Sequence, residues 1–188
     1  MNIVERAKSV CLSPDSAWTA IAGERAETAT LITGYVLPLA GAAAVAQVIG
    51  ASLIGTSLGA FGTVRVPLAT ALGMGLGSLA LAAVMVVVIS IVIDALAPTF
   101  KAEKNRQQAL KVAVYSATPV WLAGVLQIVP VLGVIGILGG LYALYLLYLG
   151  LPKLMKCPAD TAIGYTGAVI VSAIVIGVAG SALVASFA

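Results

Sequence analysis

Five long stretches of the sequence contain no charged residue, and they constrain the fold more than any other feature. They cover residues 31–55, 67–93, 112–129, 131–152 and 163–187. A helix needs about 20 mostly apolar residues to cross the hydrocarbon core of a bilayer. Four stretches exceed that length, and the third, with eighteen residues, reaches it when it is extended back into residues 105–111. The pattern predicts an all-α integral membrane protein, with a five-helix transmembrane bundle over residues 31–188.

Composition supports this class and excludes several others. The chain is 61% hydrophobic and 9% charged, whereas soluble domains carry about 25% charged residues. This excludes an ordinary soluble enzyme and a disordered tail, and ten scattered basic residues make no stripe for nucleic acid. There is no histidine, and Cys11 and Cys157 lie outside any ligand spacing,. We therefore expect free thiols, no metal, no cofactor and no catalytic residue.

The third and fourth stretches are separated only by the turn at residues 130–133, which begins with Pro130. So short a connection allows two full crossings, or a re-entrant hairpin that leaves by the side it entered. A re-entrant hairpin survives only where protein covers its non-helical backbone. We favour two full crossings and keep the hairpin as the alternative.

Residues 1–30 are predicted to form two amphipathic helices at the membrane interface. They are no secretory signal, because no apolar run follows Arg6 and Lys8,. One apolar arc of about 120° on the first helix holds Ile3, Val4, Ala7, Val10 and Cys11. Trp18, on the second helix, suits the headgroup layer. Two interpretations stay open, a pair of lipid-contacting helices or a helical cap docked on the bundle.

The basic residues are distributed unequally between the two sides of the predicted bundle. With the amino terminus in the cytoplasm, Arg65 is the only one of the ten basic residues on the opposite side. All seven acidic residues also fall on the cytoplasmic side. This is the positive-inside asymmetry, and it predicts a cytoplasmic amino terminus and an external carboxyl terminus.

Polar side chains within or beside the predicted spans are few, so each is a candidate for function. The candidate polar cluster comprises Asp94, Lys101, Lys111, Tyr115, Ser116 and Thr118. Asp94 ends the second span, where the helix dipole disfavours a negative charge. It therefore needs a cation, and the topology brings Lys101 or Lys111 within reach. A structural ion pair is the simpler interpretation, and a ligand-facing carboxylate is the alternative.

Three tyrosines, Tyr142, Tyr145 and Tyr148, recur every third residue along the fourth span. We call them the aromatic stripe. They are interpreted as packing plus an interfacial aromatic belt. The alternative is a polar-edged groove shared with Tyr115, Ser116 and Thr118 of the third span.

Glycines at helix-packing spacing occur in two spans, as Gly73 with Gly77 and Gly136 with Gly140. Such pairs let two helix backbones approach closely. They are interpreted as packing contacts within one chain, with a homo-oligomer through either pair as the alternative.

Several short segments carry a family resemblance in their order and spacing. They are Ser13-Pro14 with Trp18 and Ile21, residues 33–38, 94–98 and 115–119 with Trp121, and residues 141–152 with Met155-Lys156. Together they resemble the Yip family of Ypt/Rab-interacting membrane proteins in its short prokaryotic form. The resemblance implies five membrane helices with a cytosolic amino terminus. Eukaryotic members resemble receptors or scaffolds for small GTPases, but their long amino-terminal region is missing here, so Rab binding is not expected.

Two classes of function remain open from the sequence. The first is a non-enzymatic protein of a prokaryotic inner membrane that organises or recruits partners at the cytoplasmic face and influences lipid packing. Its expected partners are the bilayer, a cytoplasmic protein and a second copy of the chain, and nucleic acid is excluded. The alternative is a small transporter or channel with a polar path between the third and fourth spans. An enzyme acting on lipid headgroups through Asp94 and Lys111 ranks third.

Overall fold

The computed structural model of the protein describes residues 2–57 and 62–185, with side chains described as far as Val178. The α-helices are α1 (Ile3–Leu12), α2 (Pro14–Gly23), α3 (Thr28–Leu31), α4 (Leu37–Ile49), α5 (Leu68–Leu96), α6 (Arg106–Ser116), α7 (Thr118–Val125), α8 (Ile135–Met155) and α9 (Ala159–Ala185). Two π-helical segments, Ile32–Val36 and Gly50–Ile54, follow α3 and α4. Three short 3₁₀ segments lie at Ala97–Phe100, Leu126–Ile128 and Pro130–Val134.

Within the described residues, five helical segments are long and apolar enough to cross a membrane. In order, these spans are Thr28–Ile54, Leu68–Phe100, Arg106–Ile128, Pro130–Met155 and Ala159–Val178. They confirm the predicted all-α membrane bundle. The third span begins at Arg106, so residues before the eighteen apolar ones do extend it. The predicted end of the fifth span, at residue 187, lies outside the described residues, and the division of the chain at residue 30 stays a prediction.

The third span lies at the centre of the bundle. In its most apolar window 72% of residues are buried inside the protein, against 17–22% for the other spans. The span is broken at Ala117, between α6 and α7, because Pro119 cannot donate a backbone hydrogen bond. The hydroxyl of Thr118 donates to the carbonyl of Tyr115 at 2.8 Å, which satisfies an acceptor at the break.

The turn between the third and fourth spans lies beside the end of the first span. Gly50, near that end, packs against the carbonyl of Gln127 more closely than any Cβ would permit. Pro130 and Val131 line a cavity together with Gly55 and neighbouring residues. The third and fourth spans therefore reach as far as the first span does. This geometry is that of two full crossings and not of a re-entrant hairpin.

A two-stranded antiparallel hairpin joins the first two spans at the same end. It pairs β1 (Thr56–Ser57) with β2 (Thr63–Val64). Arg65 follows directly, and its Nε donates a 3.4 Å hydrogen bond to the carbonyl of Ile54. Arg65 therefore lies at the opposite end of the bundle from the amino-terminal helices described below.

Close helix packing uses other glycines than the predicted pairs. A Cβ on Gly75 would lie 2.6 Å from Val48 Cγ2, and one on Gly139 would lie 2.8 Å from the carbonyl oxygen of Pro119. A Cβ on Gly73, Gly77, Gly136 or Gly140 would meet nothing within 4 Å. The interpretation of these four glycines as close packing contacts within one chain is therefore wrong, because no neighbouring atom lies within contact distance of their Cβ positions. Self-association through them stays a prediction.

The buried core is concentrated at one end of the bundle. Its fully buried side chains include Trp18 and Ile21 of α2, Val112 of α6, Leu151 of α8 and Tyr165 of α9. Residues 2–27, 101–106 and 153–160 surround this core, and we call the surface that they form the charged face. The other end of the bundle exposes large apolar side chains, which suits contact with lipid.

Candidate functional site at the charged face

The second amino-terminal helix is part of the protein core. Trp18 is completely buried (0% exposed), so its predicted place in the headgroup layer is wrong. The indole packs so closely on Gly150 of α8 that a Cβ added to this glycine would lie 2.9 Å from Cζ2 of Trp18. It also meets Tyr115 edge-on, with ring centroids 6.4 Å apart. Of the two interpretations of these helices, the docked cap describes α2.

The first amino-terminal helix docks through most of the predicted arc, since Ala7 and Val10 are buried, but one edge of the arc differs. Arg6 is buried, whereas Val4 is 66% exposed. A buried charge must be paired, and Nη2 of Arg6 donates to both carboxylate oxygens of Glu24 at 2.5 Å. The guanidinium carbon also lies 5.6 Å from the centre of the Tyr115 ring. These two partners rotate the helix so that Arg6 replaces Val4 in the interface.

Lys111 connects the third span to the end of α2. Its side chain is only 2% exposed, and Nζ donates to the carbonyls of Ile21 at 2.8 Å and Glu24 at 2.7 Å. The last carbonyls of a helix have no partner within the helix, and a cation is favoured at that end of the helix dipole. Lys111 therefore caps α2 from the membrane-spanning part of the chain. Gln108, one turn earlier, reinforces it with a 3.0 Å bond to the carbonyl of Ala22.

Tyrosines extend this network into the first span. The hydroxyls of Tyr35 and Thr118 are hydrogen-bonded at 2.9 Å, and the rings of Tyr35 and Tyr115 meet edge-on at 4.9 Å. We call the whole network the docking cluster. It comprises Arg6, Glu24, Tyr35, Lys111, Tyr115 and Thr118. It joins α1, α2 and the first and third spans in one continuous set of contacts.

Exposed contacts surround the docking cluster. Lys153 pairs with the carboxylate of Asp15 at 2.8 Å, and Lys156 pairs with Glu103 at 2.8 Å. Both ion pairs are solvent-exposed, so each contributes at most about 1 kcal/mol. The hydroxyl of Tyr142 donates to the carbonyl of Cys11 at 2.7 Å, which anchors the end of α1.

The structure brings together only half of the candidate polar cluster. Lys111, Tyr115 and Thr118 belong to the docking cluster, whereas no ion pair in the described part of the chain involves Asp94 or Lys101. The predicted ion pair of Asp94 with Lys101 or Lys111 is therefore wrong. The physical reason is that Lys111 is directed to the carbonyls of α2.

Asp94, Lys101 and Ser116 have separate surroundings. Oδ1 of Asp94 and Oγ of Ser116 are both buried without a hydrogen-bond partner. Lys101 is exposed and adopts a left-handed backbone conformation (φ 56°) after the 3₁₀ turn that ends the second span. These three residues contribute nothing to the docking cluster.

The aromatic stripe does not form the proposed groove with the third span. Tyr145 and Tyr148 are exposed, and the Tyr142 ring lies 5.7 Å from that of Tyr145. Among the described residues no ring contact or hydrogen bond joins the stripe to Tyr115, Ser116 or Thr118. The groove is wrong as an interpretation, and the stripe itself stays a candidate for the interfacial belt.

The cavity between the third and fourth spans is apolar. It has a volume of about 380 Å³ and also borders α5. Ser116 and Trp121 supply its only polar side-chain atoms, and the rest of its lining is aliphatic. It therefore offers no continuous polar path of the kind that a transporter or channel requires.

Neither cysteine has the lowered pKa of an activated nucleophile. Burial raises the pKa of the Cys11 thiol and that of the Cys157 thiol. Since the thiolate is the reactive form, both groups are less reactive at neutral pH than a free cysteine. Within the described ranges, no three residues of the types His, Cys, Asp or Glu come together as metal ligands.

Comparison with known proteins identifies the family. The family model of the Yip1 domain matches residues 8–180, a range that includes the second half of α1 and all five spans. No curated protein and no solved structure has a significant match. Because the match extends over nearly the whole chain and agrees with the five-span architecture, the chain belongs to the Yip1 family of membrane proteins.

Proposed function

We propose that this protein is a non-enzymatic organiser that recruits partner proteins at its charged face, and that this face lies in the cytoplasm of a prokaryotic cell. The carboxyl terminus would then lie outside the inner membrane. The observation that carries the proposal is the docking cluster. The half-buried ion pair of Arg6 with Glu24 and the bonds from Lys111 hold α1 and α2 as a fixed cap on the charged end of the bundle. A fixed polar surface above an apolar bundle suits binding better than transport.

The loop that joins the second and third spans offers the free charge that a partner would meet. Lys101, Lys104 and Arg106 are exposed, and none forms an ion pair with a described residue. Like charges in one loop attract an oppositely charged surface and accelerate its association. The loop therefore fits a protein partner with an acidic patch.

A site-specific photo-crosslinker tests this proposal in living cells. Placed at Lys104, it is expected to capture a discrete partner that the combined Lys101→Ala and Arg106→Ala variant loses. The matched control is a crosslinker at Arg65, an exposed basic residue at the opposite end of the bundle. Equal capture at positions 104 and 65, or capture that survives the alanine variant, would contradict the proposal.

The orientation is tested separately with single cysteines in the background Cys11→Ser, Cys157→Ser. An impermeant maleimide added to intact cells is expected to label the Arg65→Cys variant and to leave the Lys104→Cys variant unlabelled until the cells are opened. The reverse pattern would place the charged face outside.

The exposed apolar residues of α1 support a second part of the proposal, an influence on lipid packing. Val4 and Leu12 are 66% and 72% exposed, and we propose that they enter the lipid surface. Reconstituted protein is then expected to alter the curvature of vesicles, and the Val4→Ser, Leu12→Ser variant to lose that effect while it stays folded. An unchanged effect would contradict this part.

A further inference from the structure

A cavity of about 320 Å³ opens between α1, residues 24–27 and the first turns of the first span. Its lining is mixed, unlike the apolar grooves between the spans. Ile3, Leu31 and Gly34 supply apolar surface, and the polar side chains on its wall are Arg6, Arg25, Glu27, Thr30, Tyr35 and Tyr115. The cavity lies where the first span begins at the charged face, and the end of a membrane-spanning helix is where headgroup contacts are expected.

Two oppositely charged side chains on this wall form no ion pair with a described residue. Arg25 and Glu27 are both exposed, and neither forms an ion pair with the other or with another described residue. Arg6 is already held through Nη2 by Glu24. Among the described residues, the cavity wall therefore carries a cation, Arg25, and an anion, Glu27, that form no ion pair.

A tyrosine hydroxyl on the wall also has no hydrogen-bond partner among the described residues. Tyr115 is 5% exposed, and three neighbours, Arg6, Trp18 and Tyr35, hold its ring in place. In the described part of the chain no hydrogen bond reaches its hydroxyl. Because Tyr115 lines the cavity, its hydroxyl is free to donate a hydrogen bond to a ligand with an acceptor oxygen.

We propose that the cavity binds the headgroup of a zwitterionic amine phospholipid of the phosphatidylethanolamine type. Arg25 holds the phosphate, since arginine forms strong charge-assisted hydrogen bonds to phosphate oxygens. Glu27 accepts the hydrogen bonds of the amine. An anionic headgroup without an amine would leave Glu27 without a cationic partner, whereas the zwitterion matches both free charges. This site is independent of the partner surface on the loop at residues 101–106.

Native mass spectrometry of the full-length protein in detergent tests the site. Phosphatidylethanolamine is expected to bind more tightly than phosphatidylglycerol with the same acyl chains, and soluble phosphoethanolamine is expected to compete with it. The Arg25→Ala variant should bind phosphatidylethanolamine about tenfold more weakly, the loss of one charge-assisted hydrogen bond. The Glu27→Gln variant should lose the preference over phosphatidylglycerol.

The control variant is Lys104→Ala, which removes an exposed cation of the same face that does not line the cavity. It should bind both lipids as the wild type does. Thermal unfolding without added lipid checks that each variant is folded. The proposal is overturned if the wild type prefers phosphatidylglycerol, if neither cavity variant changes binding, or if Lys104→Ala weakens binding as much as Arg25→Ala. Failure of phosphoethanolamine to compete would likewise overturn recognition of the headgroup.

Discussion

Replacing Lys111 with methionine should release α2 from the bundle. The variant keeps a long apolar stem of similar length but removes both hydrogen bonds from Nζ. A hydrogen bond to a charged group contributes about 1.5–3 kcal/mol. The loss is less than twice that value, because the amide of Glu24 still bonds the Ile21 carbonyl at 3.3 Å and the exposed residue Glu24 regains water. The variant also no longer buries an amine. We therefore expect docking to weaken by about 2 kcal/mol, which raises the undocked population about 30-fold.

Hydrogen exchange of the α2 amides measures this release directly. In the Lys111→Met variant, protection of residues 16–22 should fall about 30-fold, because exchange follows the population of the locally open state. Protection within α5 should stay unchanged, since the spans themselves remain packed. The matched control, Lys104→Met, removes an exposed lysine of the same face and should leave α2 protected. Unchanged protection of α2 in the Lys111 variant would refute the role assigned to its two hydrogen bonds.

Three further predictions concern packing, pairing and reactivity. Gly139→Ala should lower the free energy of unfolding in detergent by about 1–3 kcal/mol through overpacking. The variant of the adjacent residue, Gly140→Ala, should leave the free energy of unfolding nearly unchanged. Equal effects of the two variants would contradict the packing described. A double-mutant cycle between Arg6→Ala and Glu24→Ala, read out by denaturant unfolding, should give a coupling free energy of about 1 kcal/mol. The value is small because the Glu24 side chain is 41% exposed and therefore partly screened by water. A coupling free energy of zero would contradict the pairing. Burial raises the pKa of the Cys157 thiol, so maleimide should label Cys157 more slowly near pH 8.5 in the folded than in the unfolded protein. The labelling rate of the folded protein should rise towards higher pH. Equal rates in the two states would contradict the raised pKa.

Much of the architecture could be predicted because lipid imposes a simple rule on sequence. Every backbone polar group in the hydrocarbon core must be satisfied internally, so a long uncharged stretch becomes a helix almost regardless of its neighbours. The five spans follow from that rule. The turn at Pro130 was ambiguous, because its length alone allows two arrangements. The approach of Gly50 to Gln127 distinguishes them.

The docking cluster was only partly visible in the sequence. Lys111, Tyr115 and Thr118 stood out as polar residues in an apolar stretch, but Arg6 and Glu24 looked like ordinary surface charges. A helical wheel ranks side chains by polarity, and it therefore placed Val4 inside and Arg6 outside. It has no information on a carboxylate eighteen residues away or on a tyrosine ring of another helix. A buried lysine without a nearby acid was the one available signal that acceptors must come from elsewhere.

Local sequence and long-range contacts thus decide different properties of this protein. The spans and the unequal distribution of charge depend on the composition of short segments, so they can be read from the chain alone. Three properties depend on which faces meet across the fold: the burial of Trp18, the pairing of Lys111 with α2 rather than Asp94, and the outward direction of Gly73 and Gly77. The rotation of one helix against another is set by a few contacts between residues far apart in sequence. That rotation decides which polar groups are satisfied and which are left free for a ligand.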